Sequence, residues 1–180
     1  MDTIQLLKEI EKKIKAAEQY LPELLTYLQQ LEDVKISHRI KNKLRILEKI
    51  MLWSKTSKYQ GINELELLEN VGDIIGITLE IDEISNAFDI ADRIIQHLQS
   101  SNQSISYTGC INHISDNGGI TGYKGLLLVF NNNRIPFEIQ ITDAKNLAIR
   151  ESTHDEFVKS KYASVKSSKN IQKANDFELS

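Results

Sequence analysis

The stretch "KGLLLVFNNNRIPFEIQIT", Lys124 to Thr142, constrains the fold more than any other. Two runs rich in branched and aromatic residues flank three asparagines. Asparagine tolerates the left-handed backbone that tight turns require, so the stretch predicts two antiparallel strands joined by a turn. An isolated hairpin is marginal in water, so further elements must complete a sheet and cover it. In the second run a period of two sends Phe137, Ile139 and Ile141 to one face and Glu138, Gln140 and Thr142 to the other. That polar face is either solvated, as on many half-buried sheets, or lines a cleft in which Glu138 works.

The other segments supply the cover. Ile4, Leu7, Ile10, Ile14, Leu21, Leu24, Leu25, Leu28 and Leu31 recur at helical spacing and predict one long helix, or two joined, over Thr3 to Leu31. Pro22 marks a new first turn or a kink within it. A second helix is predicted from about Ser37 to Ser54, with Ile40, Leu44, Leu47, Ile50 and Met51 as its apolar stripe. "NELELLEN" predicts a short helix capped by Asn63. "VGDIIGITLEI", Val71 to Ile81, predicts a strand. An amphipathic helix should then open at Asp82, with Ile84, Phe88, Ala91, Ile94, Ile95 and Leu98 on one face. "SISYTGCINHIS" holds one or two short strands, "SDNGGITGY" is a glycine-rich loop, and "DAKNLAIRESTHDEFVKSKY" predicts a closing helix. The polar chain beyond about Ser164 is expected to fray. This order predicts an α+β domain, a mixed sheet flanked by helices. Its parts are an N-terminal helical segment (1–33), the main domain (34–164) and a polar tail (165–180).

Cysteine usage and charge narrow the function. The single cysteine, Cys110, rules out a disulfide framework or a cysteine metal cluster within one chain and suits a reducing, cytoplasmic setting. No apolar run approaches a membrane span, and the N-terminus lacks the pattern of a secretory signal. A net charge of -3 argues against a general coat for nucleic acid. Yet Lys35, Arg39, Lys41, Lys43, Arg45 and Lys49 follow one another with only Glu48 opposing them. Either they form a solvated helix face, or they grip a small polyanion such as a nucleotide. On a helix, Arg39 and Lys43, Lys41 and Arg45, and Arg45 and Lys49 would be neighbours four residues apart.

Asp73 and Glu138 each interrupt an apolar strand. If those strands are neighbours, both carboxylates reach one Mg²⁺, which takes hard oxygen ligands and completes its shell with water and substrate phosphates. Tyr123, in "GYKG", is either a core tyrosine or a ring on which a base stacks.

The succession "HRIKNKLRILEK", "DIIGITLEI", "GYKGLLLVF", "EIQIT", "ESTHDEF" resembles the RelA/SpoT-type nucleotide pyrophosphokinases, the (p)ppGpp or alarmone synthetases, over roughly Val34 to Tyr162. The small size resembles a small alarmone synthetase, and His154 before Asp155, Glu156 and Phe157 resembles its toxin branch. The resemblance implies a nucleotidyltransferase-like synthetase fold and pyrophosphate transfer from ATP, with Mg²⁺. The acceptor 3′-hydroxyl would belong to a purine nucleotide or to a tRNA 3′ end. Arg39, Lys41, Lys49 and Arg45 would hold ATP. Asp73 and Glu138 would bind Mg²⁺, and Glu138 would orient or deprotonate the hydroxyl. Tyr123, Gln140 and His154 would line the acceptor side. An antitoxin protein and a homo-oligomer are the macromolecular partners such relatives suggest; a membrane is not.

The chain departs from the family pattern mainly where the acceptor would bind. Thr78 stands in place of an Arg, Leu127 in place of a His, and Thr142 in place of an Arg; a lysine before the Gly-Tyr pair is missing from "NGGITGY". Arg45 replaces a serine. These departures disfavour GTP or GDP as acceptor. They also leave open a catalytically degenerate relative that binds a nucleotide or a protein partner.

Overall fold

The computed structural model describes residues 3–115, 122–133 and 135–153. Helix α1 (Thr3–Leu28) leads to strand β1 (Lys35–Ile40), helix α2 (Lys43–Trp53) and helix α3 (Glu64–Glu69). Strand β2 (Ile75–Ile81) is followed by helix α4 (Ala87–Ser101), then by β3 (Ile105–Asn112), β4 (Leu126–Asn132) and β5 (Ile135–Asp143). Helix α5 covers residues 144–153 of the described chain.

The expected hairpin is present. β4 and β5 pair antiparallel, with Leu128 opposite Ile139 and Asn132 opposite Ile135. Asn133 takes the left-handed conformation at φ 47°, which its short polar side chain tolerates. The hairpin lies inside a five-stranded sheet of order β1-β2-β5-β4-β3. Only the β2–β5 pair is parallel; the other three are antiparallel. The sheet is thus mixed, and the architecture α+β.

The register sorts the side chains into two faces. On one, Ile40, Ile75, Phe137, Phe130 and Tyr107 stand side by side across all five strands. Ile77 with Ile139 and Leu128, and Leu79 with Ile141 and Leu126, form the next rows. Helices α1 and α4 cover this face. Tyr20 of α1 meets Phe137 with ring centroids 6.0 Å apart, and Ile94 and Leu98 of α4 are fully buried. Burying a side chain of this size stabilises by about 1.5–3 kcal/mol, so this layer holds the domain together. Pro22 lies within α1 without ending it, and the Thr26 hydroxyl donates to the Pro22 carbonyl at 2.9 Å. Asn63 caps α3 as expected, accepting from the backbone N–H groups of Leu65 and Glu66.

Four expectations need correction. The residues up to Ile40 form an edge strand rather than the start of a helix, so the second helix opens only at Lys43, with Asn42 as its cap. The buried side of α2 carries Ile46 and Ile50, while Leu44 (64% exposed) and Met51 (45%) face outward. The strand expected from Val71 begins at Ile75, because 71–74 turn to bring the chain out of α3. The helix expected from Asp82 begins at Ala87 after a short 3₁₀ turn, Ile84–Asn86, and Phe88 (47% exposed) lies off its buried side.

Candidate active site

The second face of the sheet carries the polar residues. Arg39 on β1, Gly76 on β2, Glu138 on β5 and Val129 on β4 form one row. Ser37, Thr78, Gln140 and Leu127 form the row beside it. Because β2 and β5 are parallel neighbours, the turn entering β2 also reaches Glu138: a Cβ placed on Gly72 would lie 3.8 Å from Glu138 Oε1. Asp73 follows in that turn.

Asp73 is held from two directions. Lys41 leaves β1, its backbone N–H bonded to the Ile74 carbonyl at 2.9 Å, and its ammonium donates to Asp73 Oδ2. Lys49, one turn from the end of α2, donates to Asp73 Oδ1 at 2.7 Å. The Lys49 ammonium also sits 4.8 Å from the centroid of the Trp53 ring, a cation–π contact that fixes its direction. The Asp73 side chain is only 16% exposed. Burial would push its pKa up, but the charges of Lys49 and Lys41 outweigh that and hold it below the usual carboxylate range.

Glu138 behaves in the opposite way. No described residue donates a hydrogen bond to its carboxylate. Burial, and then the neighbouring Asp73 charge, push its pKa up against the pull of Lys49, Lys41 and Arg39. Burial also lowers the Lys41 pKa, and Lys49 and Arg39 add to that, although Asp73 opposes them. The cluster therefore holds one ionised acid, one acid raised toward neutrality and three cations. Perturbed groups gathered on an open face mark a candidate functional site.

Arg39 lies over a glycine, within ordinary contact distance of where a Cβ would stand. A Cβ on Gly76 would touch Arg39 Nε at 3.4 Å and Cγ at 3.5 Å, so the arginine lies across the bare backbone of β2. A longer side chain at position 76 would push it away from Glu138.

The segment around Tyr123 flanks the second row. Gln140 donates from its side-chain amide to the Tyr123 hydroxyl. The ring is half-buried and lies over Gly125, where a Cβ would be 2.0 Å from the hydroxyl. The spacing of "GYKG" is therefore a packing requirement. Thr142 donates to the Lys124 carbonyl at 2.9 Å, and the Lys124 N–H donates to Asn146 Oδ1 at 3.1 Å, which docks the segment on β5 and α5. His113 meets the Tyr123 ring edge at 5.8 Å.

Asp73, Glu138, Arg39, Lys41 and Lys49 come together, and Tyr123 and Gln140 lie beside them. The helical array expected of the basic residues is absent, because Arg39 is on a strand and Lys41 in the turn after it; of the three expected pairs, only Arg45 and Lys49 lie together within α2. Arg45 is exposed and pairs with Glu48 at 3.0 Å, apart from the cluster. His154 lies outside the described residues. Arg150 and His113 were missed, because neither stands in a motif; an Arg one helical turn beyond Asn146 was the available signal.

Asp73 and Glu138 are the two carboxylates that would hold a divalent ion, and Asp73 would have to turn an oxygen from Lys41 or Lys49 to do so. Glu138 has no donor among the described residues, the like charge of Asp73 acts on it, and two hard oxygen ligands with substrate phosphates and water are what Mg²⁺ accepts. No group of three or more such side chains able to hold a metal occurs among the described residues, so the protein's share of a shell would be these two.

Comparison with solved structures shows that this fold is the one shared by the RelA/SpoT-type small alarmone synthetases. The small alarmone synthetase 1 of Bacillus subtilis matches at 16% identity with a TM-score of 0.53, over 86% of this chain and 79% of that one. A GTP pyrophosphokinase family protein from Streptococcus pneumoniae matches at 18% identity and TM-score 0.50, over 89% of this chain and 74% of that one. The Type VI effector Tas1, solved in complex with its immunity protein, matches at 19% and TM-score 0.50, over 76% of this chain and 61% of that one. At these identities the likeness is one of fold. No family model matches the chain, and no curated protein matches its sequence. No described helix is long and apolar enough to cross a membrane.

Proposed function

We propose that the chain is an ATP-dependent pyrophosphokinase, transferring pyrophosphate from ATP to the 3′-hydroxyl of a nucleotide or of an RNA 3′ end. The observation that carries this reading is the cluster of Asp73 and Glu138 with Arg39, Lys41 and Lys49 beside the polar face of the sheet, in a fold similar to that of alarmone synthetases. The neighbours support it: one structure of the Bacillus subtilis synthetase holds its product pppGpp, and Tas1 with its immunity protein motivates testing a toxin role and an antitoxin partner.

Asp73 and Glu138 would hold Mg²⁺, which when bound neutralises charge on the transferring group. Arg39 binds ATP from across Gly76, and Lys41 and Lys49 turn from Asp73 to the phosphates. The acceptor oxygen attacks the β-phosphorus and the bond from that phosphorus to the α-phosphate oxygen breaks. AMP leaves, and the acceptor proton passes to Glu138. A carboxyl with a raised pKa is a stronger base than an ordinary glutamate, which suits that task. A degenerate nucleotide-binding protein is the second reading; it is favoured by the engagement of both Asp73 oxygens by lysines.

The test is incubation with ATP, Mg²⁺ and each of GDP, GTP, adenine nucleotides and a CCA-ended RNA. The expected products are AMP and an acceptor heavier by a pyrophosphoryl group. An acceptor heavier by a nucleotidyl group, or nucleotide binding without any AMP, would sink the reading.

A further inference from the structure

We propose that Arg150 binds a phosphate group of the acceptor, taking over from the basic residues that the acceptor side lacks. This rests on the pyrophosphokinase reading and extends it to a residue outside every motif.

Placement on the helix comes first. Asn146 anchors α5: its backbone and side-chain N–H groups donate to Asp143 Oδ1 at 2.7 and 2.8 Å, and its own oxygen accepts from the Lys124 N–H. Arg150 is four residues further along, hence on the same side of the helix. That side looks onto the segment carrying Tyr123. Arg150 is half-buried, and among the described residues it makes no hydrogen bond or ion pair. A guanidinium partly withdrawn from water, with no partner among the described residues, is poised to take an anion.

Its surroundings come second. The groups whose charge reaches Arg150 come from several elements: Arg39 on β1, Glu138 on β5, Tyr123 in the loop before β4, and Glu151 on its own helix. Burial and then the Arg39 charge weigh against the cation there. Two guanidinium groups thus lie near enough for one charge to act on the other, an arrangement that a bound anion relieves. Arg39 lies beside the carboxylate cluster and Arg150 beside Tyr123, so the pair spans the two sides of the site.

The third observation concerns what surrounds Gln140. Thr78 and Leu127 flank it on the neighbouring strands, and Thr142, two residues on, is buried and bonded to the Lys124 carbonyl. None of these can meet a phosphate charge. A guanidinium offers a planar fork matched to phosphate oxygens, and here it arrives from the helix instead of the sheet. The ligand chemistry is a phosphate monoester or polyphosphate on a free nucleotide, or a phosphodiester next to an RNA 3′ end.

The experiment measures binding and turnover together in the full chain, wild type against Arg150→Gln and Arg150→Lys. With a non-hydrolysable ATP analogue present, titration calorimetry compares guanosine with GTP, adenosine with ATP, and a CCA-ended oligonucleotide. Wild type should bind the phosphorylated ligand at least tenfold more tightly than the nucleoside. Arg150→Gln should lose most of that preference, Arg150→Lys should keep part of it, and affinity for the ATP analogue alone should stay within twofold. Loss confined to the oligonucleotide identifies a phosphodiester; loss confined to the mononucleotides identifies the free nucleotide. A preference retained in Arg150→Gln, absent in wild type, or lost together with affinity for the analogue overturns the assignment. If wild type shows the preference and Arg150→Gln loses it while no acceptor yields AMP, the pyrophosphokinase reading fails alone.

Discussion

Two neighbouring rows on the polar face differ in how they treat charge. The row of Arg39, Gly76 and Glu138, with Lys41, Lys49 and Asp73 gathered at its end, concentrates ionisable groups and leaves one carboxylate without a donor among the described residues. The row of Ser37, Thr78, Gln140 and Leu127 carries no charge, and its Gln140 bonds to Tyr123. The first gathers like and unlike charges at one end of the parallel pair, where a bound cation or polyanion would add the missing counter-charge. The second is a satisfied surface that offers shape and an aromatic ring. One backbone thus supports a charge-driven half-site beside a contact-driven one, and the halves should respond differently to substitution.

The largest effect is expected at Asp73. Asp73→Asn keeps the shape but removes the charge, and losing one such contact in a phosphoryl-transfer site costs on the order of 3 kcal/mol, roughly a hundredfold in kcat/KM. Near wild-type AMP release in this variant would break the charge-driven half of the comparison.

Next comes Arg39, approached in two ways. Arg39→Ala removes the group; Gly76→Val leaves it but fills the space it crosses. A hydrogen bond to a charged group contributes about 1.5–3 kcal/mol, so both should weaken ATP binding about tenfold or more by calorimetry. Valine suits a strand, so Gly76→Val should not lower Tm, whereas Arg45→Ala should leave ATP affinity within about twofold. Unchanged affinity in Gly76→Val would remove Arg39 from the site.

Tyr123→Ala tests the contact-driven half. Base–aromatic stacking is worth about 1–3 kcal/mol, which predicts a loss of about tenfold in kcat/KM for the acceptor and little change for ATP. Equal losses for both substrates would merge the two halves.

The smallest effect is one of stability against pH. The folded-state pKa of Glu138 is raised by burial and by Asp73, so its contribution to stability is fully present below the ordinary glutamate pKa and is lost as pH rises through the raised value. Asp73, held low, has the opposite sign: its contribution is present above the ordinary aspartate pKa and is lost as pH falls through the lowered value. Glu138→Gln should therefore raise Tm at neutral pH and leave it unchanged in acid, while abolishing turnover. A Tm gain of equal size at both pH values would show that the carboxylate charge is not its source.

Where the pattern of residues admitted one period, sequence and structure agree. The hairpin, α1 and the cap of α3 were legible because alternation, helical spacing and turn chemistry all pointed the same way. β1 was not legible. Ile40 stands four residues before Leu44, a helical spacing, so the helix expected for α2 ran back over β1 as far as Ser37. That error gave the basic residues the wrong geometry while naming the right ones: Arg39 and Lys41 reach the site through pairing of β1 with β2. The exposure of Leu44 and Met51 follows from the same extension, since the true stripe of α2 is set by Ile46 and Ile50. Asp73 and Glu138 could be named as a pair only on the condition that their strands are neighbours, and the parallel β2–β5 pairing meets that condition. Arg150 depends on how α5 docks, which no local pattern encodes.

The same pairing has a consequence for how the protein comes into being on the ribosome. β2 finds no parallel neighbour until α4, β3 and β4 have been synthesised and β5 has emerged. Closing so long a loop is slow compared with forming helices or the local β4–β5 hairpin. Until then Asp73, Lys41 and Lys49 belong to a nascent fragment without its second carboxylate. The chain is thus incapable of the proposed chemistry until β5 has been made, and acquires both acids in one step of sheet closure.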